Sequence, residues 1–486
     1  MDLGTGNVIQ TPPERRAAST PMLASSTGLH RLIAIRSQST ERQIRALKKI
    51  AESGIERILL EARQRLGRSE LSSGDLDQLF ISPIVARGLR PRPAAALKRD
   101  GRETEDWASL RDRLRRAVIL GTPGFGKTTL LWNEAVRRNQ HALALLRNPH
   151  VVLQEVQPAV LVHANEVATW LSAAPVGTEM LAVLVDKLLK RFGLEGEETA
   201  RILLLGKLRE GDCLLAIDAL DEVPPDLRDR LEMGVRELGG ACGKASLLLS
   251  SRLAGYAGPP ISIPEENQLE LLAFDQSRMR RAVGAWFGSD QTAAVRIWAH
   301  LIKRRALLQD LASPLLLRLS CQSAAEALGR GDPLPQRECR GELYQSFLEN
   351  SVAHWALRAS PKLTRTQAAQ FQDYIGTVCL ELGQRDPGRM SWEPALLASA
   401  LRSSQKEFPA FRRRPDPLGD LCASGLMVPS GPDGVQTPMM FTHRTFGEFL
   451  AGQALAKGLI SASAAWELVD QTSWDPRWEE VIRFAA

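Results

Sequence analysis

The stretch AVILGTPGFGKTTLLWNEAV, residues 117–136, decides the fold of this chain. It starts with four apolar residues, as a buried strand does, and it ends in a pattern that can form a helix. Between the two, GTPGFGKT at 121–128 matches G-x-x-x-x-G-K-[ST]. Glycines let successive backbone N–H groups point inward at an anion, and the first turn of a helix adds partial positive charge. The stretch therefore predicts a loop that cradles phosphate groups.

The residues of this loop have separate predicted roles. Lys127 pairs with the β and γ phosphates of a nucleoside triphosphate, and the hydroxyl of Thr128 binds Mg²⁺, which prefers oxygen ligands. A glycine-rich turn with a fortuitous lysine is the alternative, but the strand before it and the helix after it favour the phosphate site. The other nucleotide-binding residues expected here are Gly121, Thr122, Pro123, Gly124, Phe125, Gly126 and Thr129.

Short apolar runs recur along residues 105–275, with helical patterns between them. The runs are AVIL at 117–120, PAVLVH at 158–163, CLLAID at 213–218, SLLLSS at 246–251 and LELLAF at 269–274. Alternation of buried strands and helices indicates a parallel α/β sheet that is covered on both faces. We expect this α/β domain to bind the nucleotide.

Acidic residues follow the third of these runs. CLLAIDALDEVP places Asp218 at the end of the strand and Asp221 and Glu222 just beyond it. Because the C-terminal ends of parallel strands share the edge that carries the phosphate loop, these carboxylates can reach the metal. We expect Asp218 to hold Mg²⁺ through water, and either Asp221 or Glu222 to orient or activate the attacking water. The alternative is that Asp221 and Glu222 cap the segment that starts at Pro224.

The next apolar run, SLLLSS, ends at Ser250, Ser251 and Arg252. A guanidinium at this edge offers a forked set of donors to phosphate oxygens, so Arg252 is a candidate sensor of the γ phosphate. Without the loop and the acidic residues it would be interpreted as a surface arginine.

The segments before the α/β domain are less informative. Residues 1–38 are rich in Ser, Thr, Pro and Ala, which predicts a flexible tail. Residues 39–104 form a helical and linker segment: Thr40 and Gln43 have capping-box spacing, and apolar residues follow at helical intervals to Leu66. We expect one amphipathic helix that packs on the next domain, and an extended linker at 90–99.

After residue 275 the patterns are mainly helical. We expect a helical domain at 276–335, a winged-helix and helical region at 336–460, and a C-terminal helical segment at 461–486. GLMVPSGPDGVQTPMMF at 425–441 is the exception, since two apolar runs flank a Gly-Pro-Asp-Gly turn. This pattern predicts a β-hairpin, which a winged-helix domain would supply after its helices.

Composition narrows the possible classes of protein. A length of 486 residues is typical of several domains, and no stretch has the roughly 18 uninterrupted apolar residues of a membrane span. The first residues lack the pattern of a secretory signal, so we expect a cytoplasmic protein. Six scattered cysteines predict buried thiols in a reducing compartment. The net charge of +6 permits binding to nucleic acid but does not indicate it.

These motifs together resemble the NACHT NTPases of the STAND class, which include the NOD-like receptors. The resemblance covers roughly residues 75–486. IDALDE at 217–222 looks like the extended acidic motif of NACHT proteins, SSRLAGY at 250–256 is similar to their first sensor, and LDQLFISPIV at 76–85 resembles the segment that precedes their NTPase domain. Ser250 is a mild departure, because the sensor is usually written Thr-Ser-Arg.

The resemblance continues in the C-terminal half. LASPLLLRLSC at 311–321 looks like the helical-domain motif, which implies that Pro314 lies against the nucleotide base. FTHRTFGEFLAGQAL at 441–455 resembles the winged-helix signature, which implies that His443 contacts the β phosphate of ADP. WDPRWEEVIRFAA at 474–486 is similar to the junction with C-terminal repeats; either the sensor is missing or the chain has been shortened, so the trigger ligand stays unknown.

The resemblance implies a switch in defence against phage or in inflammatory signalling. ADP holds the three domains closed, and ATP opens them and leads to self-oligomerisation. The alternative from another class is a regulator whose winged helix binds DNA; its only local candidate is RRRP at 412–415, which is more typical of a solvated loop. The chain lacks the Asn-Lys-x-Asp segment of GTPases and the Leu-Ser-Gly-Gly-Gln segment of transporter ATPases, and a small-molecule kinase would leave the C-terminal half unexplained.

Overall fold

The computed structural model describes residues 26–66, 70–88, 103–175, 178–223, 225–241, 244–253, 256, 258, 263–336, 339–359, 362–385, 391–412, 414–429, 439–475 and 477–486. The linker predicted at 90–99 and the turn of the hairpin predicted at 425–441 lie outside these residues.

Seven strands form the central sheet. They are β1 (Ile84–Arg87), β2 (Thr104–Asp106), β3 (Arg116–Leu120), β4 (Ala159–His163), β5 (Leu214–Asp218), β6 (Ser246–Ser251) and β7 (Gln268–Leu271). Their order is β2-β1-β7-β3-β6-β5-β4, and the five strands from β7 to β4 are parallel. This confirms the α/β fold and all five predicted strands. The antiparallel strands β1 and β2 were not predicted.

Helices cover both faces of this sheet. They are α1 (Ser26–Leu66), α2 (Ser73–Leu79), α3 (Trp107–Leu110), α4 (Lys127–Leu145), α5 (Ala164–Ala173), α6 (Met180–Arg191), α7 (Glu198–Glu210) and α8 (Pro225–Ala241), with short 3₁₀ helices at Arg111–Arg113, Leu220–Glu222 and Glu265–Asn267. Successive residues of β3 point to opposite faces, as in any strand: Val118 belongs to one apolar core and Ile119 to the other.

Helix α1 packs against α4, α7 and β4, as predicted for an amphipathic helix. It ends at Leu66 but begins at Ser26, whereas the sequence predicted its start near Thr40 after a flexible tail at 1–38. The composition of residues 1–38 hides this start, because the residues before Ser26 are polar and contain proline. Leu29, Leu32 and Ile33 already have helical spacing.

The C-terminal half is mainly helical, as predicted. It contains α9 (Gln276–Phe287), α10 (Gln291–Ile302), α11 (Arg305–Leu311), α12 (Pro314–Arg330), α13 (Arg340–Arg358), α14 (Arg365–Arg385), α15 (Pro394–Ser404), a 3₁₀ helix at Pro409–Phe411, α16 (Pro417–Ala423), α17 (Arg444–Ala456), α18 (Ala462–Thr472) and α19 (Glu479–Ala485). One apolar cluster runs through these helices, from Phe274 to Val481.

A small antiparallel sheet lies among these helices. Its strands are β8 (Ser391–Trp392), β9 (Met427–Pro429) and β10 (Met439–Phe441), in the order β8-β10-β9. β9 and β10 are the predicted hairpin strands, and α17 follows β10 directly. The names and boundaries of the helical and winged-helix domains stay predictions.

Two other expectations can be compared with the structure. Within the described residues, no helix combines the length and apolar character needed to cross a membrane. Cys213, Cys321 and Cys379 are buried, as expected, but Cys339 and Cys422 are exposed. The expectation of buried thiols was wrong for these two, because the spacing of cysteines in the sequence does not report which of them a neighbouring element covers. Cys242 lies outside the described residues.

Candidate functional site

The loop at 121–126 connects β3 to α4, and α4 begins at Lys127. Gly124 and Gly126 have φ angles of 83° and 88°, which L side chains rarely adopt. A Cβ at Gly126 would meet no atom within 4 Å, so this glycine is needed for its backbone conformation. A Cβ at Gly124 would also lie 3.0 Å from Ser313 Oγ. The loop is therefore held in a curved shape against α12.

Strand order brings the loop close to Asp218. β6 lies between β3 and β5, so Ser250 at the end of β6 is beside the ends of both neighbours. Thr128 Oγ1 donates a hydrogen bond to Asp218 Oδ2 at 2.7 Å, and Ser250 Oγ donates to Asp218 Oδ1. Asp218 is only 1% exposed. The two residues predicted to bind Mg²⁺ thus lie in direct contact.

The chain turns sharply after Asp218. Ala219 has a φ angle of 61°, which is uncommon for a residue with a Cβ, and its N–H donates to Ser250 Oγ at 2.9 Å. The turn leads into the short 3₁₀ helix Leu220–Glu222. Ser250, the departure from the NACHT sensor pattern, therefore fixes both Asp218 and the turn that carries the next two acidic residues.

Asp221 is part of a buried network with two arginines and a glutamate. The backbone N–H of Arg252 donates to Asp221 Oδ1 at 3.0 Å, and Arg252 Nε lies 3.2 Å from Oδ2. Arg444 Nη1 donates to the same Oδ2 at 3.2 Å. Glu448 Oε1 accepts from Arg252 Nη1 at 2.8 Å and from Arg444 Nε at 3.0 Å. The network joins the strand edge to α17.

The two acidic residues beyond Asp218 have different electrostatic environments. Burial opposes ionisation of Asp221, but Arg252 and Arg444 outweigh it and hold the pKa of Asp221 below its usual value. At Glu222 the effect of burial prevails over Arg444, and the pKa is raised. Glu222 is therefore the carboxyl group that gains and loses a proton closer to neutral pH.

Lys127 is folded back onto its own loop. Its Nζ donates to the carbonyl oxygens of Gly121 at 2.8 Å and Thr122 at 3.4 Å. Burial lowers the pKa of Lys127 to about 8, against the attraction of Asp221. The predicted phosphate ligand is thus a poorly solvated ammonium group, which an anion would stabilise.

A cavity of about 230 Å³ lies in front of the loop. The predicted site residues in its wall are Pro123, Gly124, Phe125, Gly126, Lys127, Thr128, Thr129, Asp218, Asp221, Glu222, Arg252, Pro314 and His443. Gly121 and Thr122 are not among the lining residues. The α12 side is fastened to the loop, because Leu315 N and Ser313 Oγ both donate to Gly124 O, at 3.1 and 3.2 Å. One cavity therefore unites residues that are more than 300 positions apart.

His443 lies at the start of α17, with Nδ1 2.8 Å from Thr445 Oγ1. Its pKa is well below the usual value, first because of burial and then because Arg318, Arg65 and other cations are near. The imidazole is therefore neutral at physiological pH and can take part in hydrogen bonds without adding charge.

The cavity has a charged part and an apolar part. Five cationic side chains line it, Arg65, Lys127, Arg252, Arg318 and Arg444, against three acidic ones, Asp218, Asp221 and Glu222. Its apolar wall includes Phe80, Ile81, Phe274, Trp286 and Leu315. An anion next to a flat apolar group matches this distribution.

Sequence reasoning missed several residues of this site. Arg65 belongs to α1, Arg318 to α12, and Arg444 and Glu448 to α17. The spacing of Arg444 and Glu448, four residues apart on a helix, was the one available signal, and it is usually that of an exposed pair. In the RRRP segment at 412–415, Arg414 is buried and donates to Asp420 Oδ2 at 2.6 Å, so this arginine is not exposed for contact with DNA.

Comparison with known proteins gives only distant similarities. No protein-family model matches the chain, and no curated protein matches it. Among solved structures, the Drosophila ORC bound to DNA has a TM-score of 0.27 at 14% identity and covers 80% of this chain and 97% of its own. A Walker-type ATPase of Pyrococcus abyssi has 0.29 at 13%, covering 71% and 93%, and the RuvB Holliday junction branch migration motor of Thermotoga maritima has 0.27 at 13%, covering 69% and 87%.

At these TM-scores the likeness carries no conclusion about function, and the resemblance to NACHT proteins stays a prediction. The fold is decided by features of the chain itself: a phosphate-loop motif between a parallel strand and a helix, and an acidic strand end two strands away. The chain has the fold of a P-loop NTPase.

Proposed function

We propose that this chain is an ATP-binding switch of the NACHT type, closed with ADP and opened by ATP. The observation that supports it best is the network of Asp221, Arg252, Arg444 and Glu448, which joins the edge of the nucleotide-binding sheet to α17. A simple ATPase needs its acidic residues free for substrate. Here two of the predicted catalytic residues are held by a distant helix, as a closed switch requires.

The residues present fit a nucleotide with Mg²⁺. The loop at 121–129 and Lys127 would hold the phosphates, the apolar wall with Pro314 would hold the base, and His443 would face the phosphates. Thr128 and Asp218 would hold Mg²⁺, which neutralises phosphate charge when bound. In the part of the chain that the structure describes, no group of three or more His, Cys, Asp or Glu could hold a metal alone. This suits Mg²⁺, which proteins usually bind through one or two carboxylates and the substrate phosphates.

The environments of Asp221 and Glu222 suggest a division of roles. Both oxygens of Asp221 already accept bonds from arginines, and its lowered pKa makes it a poor base. Glu222 has a raised pKa, and a general base works best when its pKa is near the working pH. We assign the orientation and deprotonation of the attacking water to Glu222, and to Asp221 the positioning of Arg252.

In this proposal α17 and the sheet β8-β10-β9 belong to the winged-helix domain, and α9–α12 to the helical domain. Arg252 cannot serve a γ phosphate fully while it is bound to Glu448. ATP would favour the form in which α17 has released Arg252, and the opened chain would oligomerise. Slow hydrolysis would reset it. The class of switch suggests a role in innate immunity or defence against phage, with a trigger that the site does not identify.

Phosphate release and particle size test this function. Wild type should hydrolyse ATP slowly, and Lys127→Ala and Glu222→Gln should each reduce the rate at least tenfold, whereas Asp221→Asn should alter oligomer formation as well. In light scattering, ADP should give a monomer and ATP a larger particle. Equal hydrolysis in wild type, Lys127→Ala and Glu222→Gln would refute the NTPase, and a particle size that is indifferent to ATP would refute the switch.

A further inference from the structure

The last turns of helix α1 carry charged side chains toward the sheet. Arg57, Glu61 and Arg65 have side-chain exposures of 18%, 17% and 14%, although they are ionic residues. Charged groups are held in such places only when they are paired. Their partners therefore show what the end of α1 is positioned against.

Each of these residues has a partner close to the candidate site. Arg57 Nη2 donates to Glu166 Oε1 at 2.8 Å, at the start of α5. Arg65 Nη2 lies 2.6 Å from Glu61 Oε1, and the same Glu61 oxygen lies 2.9 Å from His163 Nε2. Glu61 thus links the end of α1 to the end of strand β4.

His163 in turn faces Asp218. The two residues are direct partners in the parallel ladder of β4 and β5, and His163 Nδ1 lies 3.8 Å from Asp218 Oδ2. The backbone N–H of His163 donates to Glu166 Oε2 at 3.2 Å, which fixes the strand end. Because Oδ2 is the oxygen that accepts from Thr128, the imidazole packs against the side of Asp218 that faces the phosphate loop.

We propose that Glu61 and His163 are positioning residues for Asp218, so that the end of α1 is part of the Mg²⁺ side of the nucleotide site. Residues that support a metal-binding carboxylate typically change metal affinity or activity by about 10- to 100-fold when they are removed. The inference rests on the proposed function, because it assumes that Asp218 serves Mg²⁺. Binding linkage is reciprocal: if a docked α1 favours Mg²⁺ binding, bound Mg²⁺ favours a docked α1 by the same factor.

The first test measures the Mg²⁺ concentration that gives half of the thermal stabilisation by ATP, with the full chain. His163→Leu should raise it about tenfold. His163→Asn keeps an amide donor near the position of Nδ1 and loses only the contact with Glu61, so it should raise this Mg²⁺ concentration less than about threefold. Glu56→Gln changes an exposed side chain of α1 and should leave it unchanged. ADP affinity in EDTA should be equal in all four proteins.

The second test follows hydrogen exchange in residues 40–66. Mg²⁺-ATP should slow exchange there in wild type and in Glu56→Gln, and much less in His163→Leu. If wild type binds Mg²⁺-ATP but both histidine variants keep the wild-type Mg²⁺ requirement, with only a lower melting temperature, His163 is merely structural and this proposal is overturned. If wild type binds no Mg²⁺-ATP, the proposed function itself is overturned.

Discussion

Removing the two α17 members of the buried network should reveal whether they hold the chain closed. The network pairs two carboxylates with two guanidinium groups, so it is formally neutral. Glu448 is 0% exposed and the Arg444 side chain 7% exposed. Arg444→Met leaves one excess negative charge there and Glu448→Leu one excess positive charge. The double variant removes one of each and leaves Arg252 with Asp221, which stay bonded through Nε and the backbone N–H.

The magnitudes follow from burial. Removing one partner of a buried ion pair typically costs about 3–5 kcal/mol, whereas replacing both with apolar residues is often neutral. Arg444 Nη2 and Glu448 Oε2 have no hydrogen-bond partner among the described residues, which favours the lower end of that range. We therefore expect each single variant to lower the free energy of unfolding by about 3 kcal/mol. The double variant should lower it by less than either single variant.

Two measurements test whether Arg444 and Glu448 hold the chain closed. Urea unfolding of wild type, both single variants and the double variant gives the coupling energy. Release of a fluorescent ADP analogue gives the functional effect: the double variant should fold well yet lose the two bonds that join α17 to the strand edge. A loss of about 1.4 kcal/mol or more corresponds to release at least about tenfold faster. Strictly additive single effects would refute the buried network. A double variant that releases ADP at the wild-type rate would refute the idea that Arg444 and Glu448 hold the chain closed.

Three further changes test single contacts. ADP affinity, measured by calorimetry, should fall as the pH rises above about 8, because the pKa of Lys127 is lowered to about 8 and binding then takes up a proton. A Lys127→Arg chain stays charged and should lose this dependence. Equal slopes of ADP affinity against pH in the two proteins would contradict the role of Lys127 as the phosphate ligand. Gly54→Ala should lower the melting temperature more than Gly206→Ala, because a Cβ at Gly54 would lie 2.7 Å from a buried asparagine amide whereas one at Gly206 meets no atom within 4 Å. Equal shifts would exclude tight docking of α1. Gly124→Ala should lower the free energy of unfolding in urea more than Gly126→Ala does. Both glycines have a positive φ, which costs an alanine about 1–2 kcal/mol, but only a Cβ at Gly124 also meets a serine hydroxyl at 3.0 Å. The reverse order would contradict the loop geometry.

Local patterns predicted most of the sheet. The five parallel strands were found because each is a continuous apolar run, buried on both faces and bounded by helical patterns. β1 was not predicted because it has only four residues and pairs antiparallel with β7, which comes more than 180 positions later. Its place in the sheet depends on that pairing and not on its own residues. The five parallel strands could therefore be predicted from local sequence, whereas the antiparallel strand β1 could not.

The candidate site could likewise be predicted only where its residues are close together in the sequence. The loop at 121–128 and Asp218 could be predicted because motif and strand end are contiguous in sequence. The opposite pKa directions of Asp221 and Glu222 could not, since they depend on burial and on distant cations such as Arg444, 223 positions beyond Asp221. His163 ends a predicted strand, but only the register of β4 with β5 places it opposite Asp218.

Arg252 is where ADP and ATP can differ in the proposed switch. Its guanidinium is divided between Asp221 and Glu448, so in the closed form it already has two anionic partners. A γ phosphate beside it would add a third negative charge, which both carboxylates repel. ADP lacks that group and leaves the arrangement undisturbed. Because a ligand shifts a two-state equilibrium only by its difference in affinity for the two states, release of Arg252 from Glu448 is the step that ATP can favour and ADP cannot.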